Sequence, residues 1–521
     1  MLKKLFTILK NRKTVYHKPS VADSGNDICP DVAEIENILH KQLALSSDLR
    51  VRTFYVKNTQ GQDVPLLAAF VDGMCSSIYV NRDIIEPLMR APVEITDKME
   101  DFVEKSLVAC DAQVICNMNL CINAIVEGSC VLFVQGVRAA VVIDSKGYPR
   151  RSVSPPTNEV VARGPNASFT EHLRTNTTLI RRYIKDHKLA FEKAEVGRRT
   201  KTIINIVYIE GICEESLVKT VRDRLGTIDV DAILDSGYIE QYIEDRPFSI
   251  FATLGFTEKP DVLAAKLLEG RVGILVDGSP FALSAPFFFQ ESFQNAEDYY
   301  IKPFYATFVR IIRYLAFFAT IITPAAFVAL TVFHQELIPT SLLFSMAKAG
   351  SGVPFNSFHE TVILLAVFEL LKEAGIHMPK SMGQTVSIVG ALVMGETCVS
   401  SGLISAPIVI VVAFTAVTGY VVNQLHQQAT ILRWLLLIIT GLLGGFGLMM
   451  GLLVIFIHLV SIKSFGRPYL SPYARFEAGD IKDSFLRMPL WYMTKRPADM
   501  NGKNKVRVNT PVPPGGSGGN E

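Results

Sequence analysis

The N-terminal half of this sequence lacks the spacings by which common chemistries announce themselves. It has no G-x-x-x-x-G-K phosphate loop, no G-x-S-x-G nucleophile turn, no H-E-x-x-H metal helix and no G-x-G-x-x-G dinucleotide turn. A hydrolase reading has no constellation behind it, so the chain is not expected to be an enzyme and no cofactor or metal is expected. Eight cysteines occur (Cys29, Cys75, Cys110, Cys116, Cys121, Cys130, Cys213, Cys398), but none forms C-x-x-C or lies beside a suitably spaced His. That disfavours a zinc site or disulfide framework and suits small apolar fillers in a reducing compartment. Charge of one sign is missing too: the formal net charge is +2, too small a field to attract a polyanion, so nucleic acid is not an expected partner. No internal repeat is evident.

The start, Met1 to Thr14, mixes Lys3, Lys4, Lys10, Arg12 and Lys13 with Leu2, Leu5, Phe6, Ile8 and Leu9. It has no long apolar core or small-residue cleavage site, so it is not a secretory signal. It reads either as a basic amphipathic helix on anionic lipid or as a frayed end.

What the chain does have is long uncharged runs. Tyr314 to Phe333 follows Arg310 and Arg313 and is about twenty residues long, the length that crosses a hydrocarbon core. Trp434 to Val460 is a longer run, broken only by His458 and closed by Lys463 and Arg467; it reads as the last crossing. Between them, Gln384 to Val422 has Glu396 as its only charge. One unbroken helix there would be roughly twice as long as the bilayer is thick. It must break, and Gly395, Gly402 and Pro407 mark the place. The segment from Ser357 to Ala374 carries Glu369, Lys372 and Glu373 and should face protein or water.

Basic residues crowd the tail after Ile462, whereas His334 to Glu360 holds only Lys348. The positive-inside rule then puts both termini on the cytoplasmic side with an even number of crossings, for which four is the expectation. Residues from about Asp27 to Tyr300 alternate strand-like runs such as Thr202 to Ile209 with amphipathic stretches such as Glu214 to Leu225. The expected fold is therefore mixed: an α+β or α/β cytoplasmic region of two subdomains, 27–150 and 151–300, split at the Pro/Ser/Gly-rich stretch from Asp144 to Pro165. A basic segment, 1–26, precedes it. An α-helical transmembrane region, 301–462, follows, then a cytoplasmic segment, 463–497, and a disordered tail, 498–521. The basic cluster from Gly197 to Lys201 reads as the solvated end of strands rather than a phosphate site.

Three blocks carry a family resemblance: Asp245-Arg246-Pro247, Leu268-Glu269-Gly270-Arg271-Val272 and Val276-Asp277-Gly278-Ser279-Pro280. With Ala162 to Pro165, Asn176 to Arg182, Val353-Pro354-Phe355 and Gly383 to Val386 in order and spacing, the sequence resembles the spore germination GerA family. That family comprises A subunits of germinant receptors and the related sporulation AF protein, and the match spans roughly 30 to 497. The resemblance marks Arg246, Pro247, Glu269, Gly270, Asp277 and Gly278 as signature positions. It implies a complex in the inner membrane of a bacterial endospore with an integral B subunit, which binds the nutrient, and a lipoprotein C subunit. It further implies that A subunits oligomerise and supply a cation path. Two departures stand out: Glu396 occupies a position where a neutral residue such as Gln is expected, and Val422-Asn423 one where the family often has proline.

For the path itself the candidates are Glu396 with Thr397, Ser400 and Ser401, where a carboxylate and hydroxyls meet loosened backbone carbonyls, as at cation sites in membranes. Glu369 is a second candidate, although Lys372 three residues on is placed to neutralise it. Glu360 is a third, with capping of its own helix from Ser357 as the simpler role. Gly441, Gly445, Gly447 and Gly451 provide small-x-x-x-small spacings for close helix packing, within or between subunits. A structural scaffold without conduction and a self-sufficient secondary transporter are the competing readings. The transporter would usually show paired broken helices, and one clear break is visible.

Overall fold

The computed structural model describes residues 27–43, 46–90, 92–94, 112–147, 161–377, 393–474, 481–500 and 504–507, with a few isolated positions between them. The basic start and Cys110 lie outside them. The chain divides into two compact units. One comprises the N-terminal chain to Pro247, Leu254–Pro286 and the chain from Met488 onward; the other comprises Phe248–Thr253 and Phe287–Arg487. The helical unit is thus an insertion into the first unit, which closes only when the tail returns.

The first unit holds two five-stranded sheets. In the first subdomain α1 (Val32–Gln42) precedes a hairpin of β1 (Leu49–Lys57) and β2 (Asp63–Val71), followed by helical turns over 77–90. Then come β3 (Ala112–Ile115), α2 (Met118–Val126), β4 (Cys130–Val134) and β5 (Ala140–Ile143). The order across the sheet is β1-β2-β4-β5-β3 and every pairing is antiparallel. Both faces are covered. Leu66, Ala68 and Phe70 of β2 pack with Leu132, Val134, Ile84 and Leu88 on one side, while Leu67, Ala69 and Val71 meet Ile35, Leu39, Cys121 and Ile125 on the other. That double covering explains why β2 reads as a continuous apolar run instead of an alternation.

The second subdomain repeats this plan. Here α3 (Leu173–Tyr183), β6 (Leu189–Val196), β7 (Thr202–Ile209), α4 (Glu215–Gly226) and α5 (Ser236–Ile243) come first. They are followed by β8 (Gly255–Thr257), α6 (Pro260–Leu268), β9 (Val272–Val276) and β10 (Ala282–Ala285). Its order is β6-β7-β9-β10-β8, again antiparallel throughout. Antiparallel sheets with packed helices decide the fold class as α+β.

With the two sheets side by side, the repeat that the sequence hid becomes readable. Asp72-Gly73-Met74-Cys75 after β2 matches Glu210-Gly211-Ile212-Cys213 after β7, and Glu127-Gly128 before β4 matches Glu269-Gly270 before β9. The paired glycines share left-handed backbones, with φ of 86° and 77° at Gly73 and Gly211, and 96° and 100° at Gly128 and Gly270. The two copies are joined through Arg181, which donates to Asp48 at 2.5 and 2.8 Å and to Ser46 at 3.1 Å while its guanidinium lies over the Phe191 ring. Both Arg181 and Asp48 are buried.

The helical unit contains α7 (Pro303–Val328, continued by wider turns over Ala329–Phe333), α8 (Thr340–Gly350) and α9 (Ser357–His377). Short helical turns over 393–400, α10 (Ala406–Val421) and α11 (His426–Ser461) complete it. Pro303–Phe333 and His426–Ser461 are long and apolar enough to cross a membrane, by length and composition. The last run, expected from the sequence to be a single crossing, does not form one straight helix. Gly444 sits at φ 64°, ψ −148°, and beyond it the chain doubles back: a Cβ on Gly451 would lie 2.5 Å from the Leu436 side chain. In a straight helix those positions are roughly 22 Å apart.

Candidate functional site

Sequence candidates in the helical unit fall at separate places. Glu360 and Glu369 both lie on α9, nine positions and therefore about 13 Å apart along the axis. Glu360 does not cap its own helix. Asn356 takes that role, its Oδ1 accepting from the His359 amide at 3.1 Å. The Glu360 carboxylate, buried, instead accepts from the Ser405 backbone N–H at 2.7 Å, at the start of α10. There a carboxylate satisfies an orphan amide and meets the positive end of the helix dipole. Pro407 occupies the first turn of the same helix, where its missing N–H costs nothing.

Glu369 is bound on two sides, by Lys372 one turn on and by Arg433 of α11. Lys372 also reaches His426 Nε2 at 2.9 Å, and His426 Nδ1 lies 3.3 Å from the Gly419 carbonyl. Arg433 is only 2% exposed. The sequence signal for it was available, a lone charge in an apolar stretch, but it sits one residue before the run that begins at Trp434 and so reads as a flank.

Gly395, Glu396, Thr397, Ser400 and Ser401 are all exposed. The Ser400 and Ser401 hydroxyls donate to the carbonyls of Thr397 and Cys398, at 3.1 and 3.2 Å. The helical turns stop at Gly402, whose φ is 67°, and helix resumes at Ala406. Elsewhere in the helical unit Ile410, Phe414, Val417 and Tyr420 of α10, and Leu442, Phe446 and Met449 of α11, are exposed. The four glycines of α11 singled out for packing receive close neighbours from within the chain. A Cβ on Gly441 would meet Phe358 at 2.2 Å, on Gly445 His334 at 2.8 Å, on Gly447 the Ile439 carbonyl at 2.6 Å and on Gly451 Leu436.

A second charged centre was missed on sequence. Arg310, fully buried near the start of α7, donates to Asp298 and to Asp483 at 2.8 Å each, and Arg313 shares Asp298 at 2.9 Å. Two residues that read as basic flanks of a crossing are therefore each paired with carboxylates. Among the described residues no three His, Cys, Asp or Glu side chains converge as metal ligands.

The signature positions lie in the first unit and make backbone contacts. Asp277 accepts from the Leu173 amide at 3.1 Å, opening α3, and the Gly278 amide donates to the Glu171 carbonyl at 2.7 Å. Glu269 pairs with Arg271 at 3.3 Å and with Arg507 at 3.6 Å. Arg246 and Pro247 are exposed at the point where the chain leaves for the helical unit, beside Asp245, which binds Arg224 at 2.6 Å. The basic cluster near Gly197 is largely neutralised, Arg198 by Asp229 at 2.5 Å and Arg199 by Asp231 at 3.8 Å. Burial pushes the Cys75 thiol up to about 11 and the Cys121 thiol to about 12, which leaves both inert.

Comparison with known proteins covers both units. The family model for the Bacillus/Clostridium GerA spore germination protein matches residues 37–499. Spore germination protein KA of Bacillus subtilis (strain 168) is 39% identical over 483 residues, covering 92% of this chain and 88% of that one. Stage V sporulation protein AF of the same organism is 29% identical over 457 residues, 85% of this chain and 90% of its own. A crystal structure of the N-terminal domain of the A subunit of the Bacillus megaterium spore germinant receptor GerK3 is 29% identical, with a TM-score of 0.40. It covers 51% of this chain and 98% of that one. The chain belongs to the GerA family of spore germination proteins.

Proposed function

We propose that this chain is the A subunit of a spore germinant receptor, held in the inner membrane of a bacterial endospore with both termini on the spore-core side. It works beside an integral B subunit and a lipoprotein C subunit, and it transduces nutrient binding by assembling with further copies of itself around a gated cation path. The observation that carries this reading is the family match from 37 to 499, which takes in the soluble and the helical unit together. The exposure of Glu396, Thr397, Ser400 and Ser401 supports the path, since exposed polar side chains at bilayer depth are stable only against water or protein. One carboxylate per copy is a poor conduit, and several copies around an axis would supply a ring of them.

The scaffold reading is favoured by a different observation, that Glu360 and Glu369 already have partners inside the chain. Ion flux from liposomes carrying the purified receptor, with and without nutrient, separates the two. Under the path reading the nutrient opens a cation flux and Glu396→Gln lowers cation-over-anion selectivity several-fold. Flux indifferent to Glu396→Gln and to alanine at Thr397, Ser400 and Ser401 leaves the scaffold. Accumulation of substrate by this chain alone marks a transporter instead.

A further inference from the structure

Within the first unit the two copies of the fold differ after their last strand. In the first copy the chain after β5 turns back at once: the Ser76 amide donates to the Ser145 carbonyl at 3.0 Å and the Gly147 amide to the Met74 carbonyl at 3.1 Å. A Cβ on Gly128 would meet Met74 at 3.2 Å and Lys146 at 3.5 Å, so residues 144–147 cover the Glu127-Gly128 loop. In the second copy that covering segment is missing from its place in the sequence, because the chain leaves the unit after Pro286. Its place is nevertheless filled. A Cβ on Gly270 would meet the Ile212 carbonyl at 3.1 Å and Met500 at 3.6 Å. Ile212 is the counterpart of Met74, so Met500, more than two hundred positions downstream, stands where Lys146 stands in the first copy.

Other contacts hold the tail there. Arg496 Nε donates to the Leu268 carbonyl at 2.7 Å, Arg507 pairs with Glu269, and Asp499 and Met500 are buried. The segment is braced by its own cross-links, with the Arg496 amide donating to the Lys505 carbonyl at 3.0 Å and the Arg507 amide to the Thr494 carbonyl at 2.8 Å. The helical unit therefore begins and ends on the same subdomain: one end follows β10 and the other continues into the segment that covers Gly270.

We propose that the Leu268-Glu269-Gly270-Arg271 loop is the docking site of two stretches of the chain's own C-terminal segment, 494–500 and 504–507, and that this docked strap couples the helical unit to the second subdomain and not to the first. The docking stands on the contacts; the coupling rests on the receptor reading above. A rearrangement of the helical unit that shifts residues 486–488 must either drag the strap or release it, and release uncovers Gly270 and the turn at Ile212.

Hydrogen exchange on the purified full-length receptor reads the docking. With Arg496→Ala combined with Met500→Ala, amides of 210–214 and 268–271 are expected to exchange at least tenfold faster while those of 72–76 and 127–130 keep their rates. Unchanged exchange at 210–214 and 268–271 overturns the docking. For coupling, Gly270→Cys with Met500→Cys, whose Cβ atoms would stand 3.6 Å apart, in a Cys213→Ser background closes the strap under oxidation and frees it under a reductant in one and the same folded protein. The expected result is a bond visible by gel mobility and an at least fivefold difference in nutrient-evoked flux between the two states. Equal flux in both states, with the bond formed, overturns the strap as a coupling element. Absence of any nutrient response in the unmodified receptor counts against the receptor reading and leaves the exchange result standing.

Discussion

Arg433 and Glu369 face each other across two helices, and the cost of separating them follows from their burial. Removing one member of a buried pair leaves a charge without compensation, which costs about 3 kcal/mol or more. Glu369→Leu, which strands the buried Arg433, is therefore expected to lower thermal stability in detergent markedly, and adding Arg433→Leu to recover part of the loss. An additive double variant would mean that the two side chains do not interact. In the soluble unit Glu240 is half-buried, and burial, then Glu244 and Asp235, raise its carboxyl from near 4.5 to about 7. Because the folded state holds the proton more tightly, the stability this group contributes is present below about 4.5 and lost as pH rises toward 7. Glu240→Gln should abolish that slope and stabilise the unit at neutral pH, by on the order of 1–3 kcal/mol, as followed by thermal melts between pH 4 and 8. Such pairings are not legible in the sequence, because they join positions such as 369 and 433 that only packing brings together. Burial of the Cys75 and Cys121 thiols, by contrast, agrees with what their scatter and lack of spacing implied.

The hairpin in α11 turns on a conformation that only glycine adopts with ease, and on space that only glycine leaves. At Gly444 a Cβ would lie 2.8 Å from the Phe333 ring, so a side chain there meets both backbone strain and a clash. Each arm, 426–443 and 445–461, is about 26 Å long, close to the thickness of a hydrocarbon core. Cysteine labelling from one side of sealed vesicles, with native cysteines replaced, tests this directly. Gln427→Cys and Ser461→Cys should react from the same side and Leu443→Cys from the other, whereas a straight helix would put 427 and 461 on opposite sides. Gly444→Ala should weaken the turn by several kcal/mol and reduce accumulation in the membrane. Composition reveals that this run is apolar and glycine-rich. It does not distinguish glycines that let two helices approach from one that reverses the chain, because both need the same absent side chain.

At the scale of the molecule the duplicated soluble fold and the inserted helical unit set what the protein can transmit. Asp48→Ala would strand the buried Arg181 between the two copies and is expected to cost about 3–5 kcal/mol, measurable as a lowered midpoint in urea. The repeat escaped notice on sequence for a physical reason. Strand interiors accept any apolar side chain of suitable volume, so Ala68 and Ile206 need not resemble one another, whereas left-handed turns require glycine and therefore keep it. The sequence by itself determined the family, the mixed strand-and-helix character of the N-terminal half, the apolar helices after Tyr300 and the break near Gly402, because periodicity, charge-free length and glycine turns are local properties. Only the tertiary structure decided that the last long run folds at Gly444, that Glu360 caps α10 and not its own helix, and that the tail completes a subdomain the chain left two hundred residues earlier. Each of those depends on which distant surfaces meet, and that is settled by the burial of the whole chain and not by any single stretch of it.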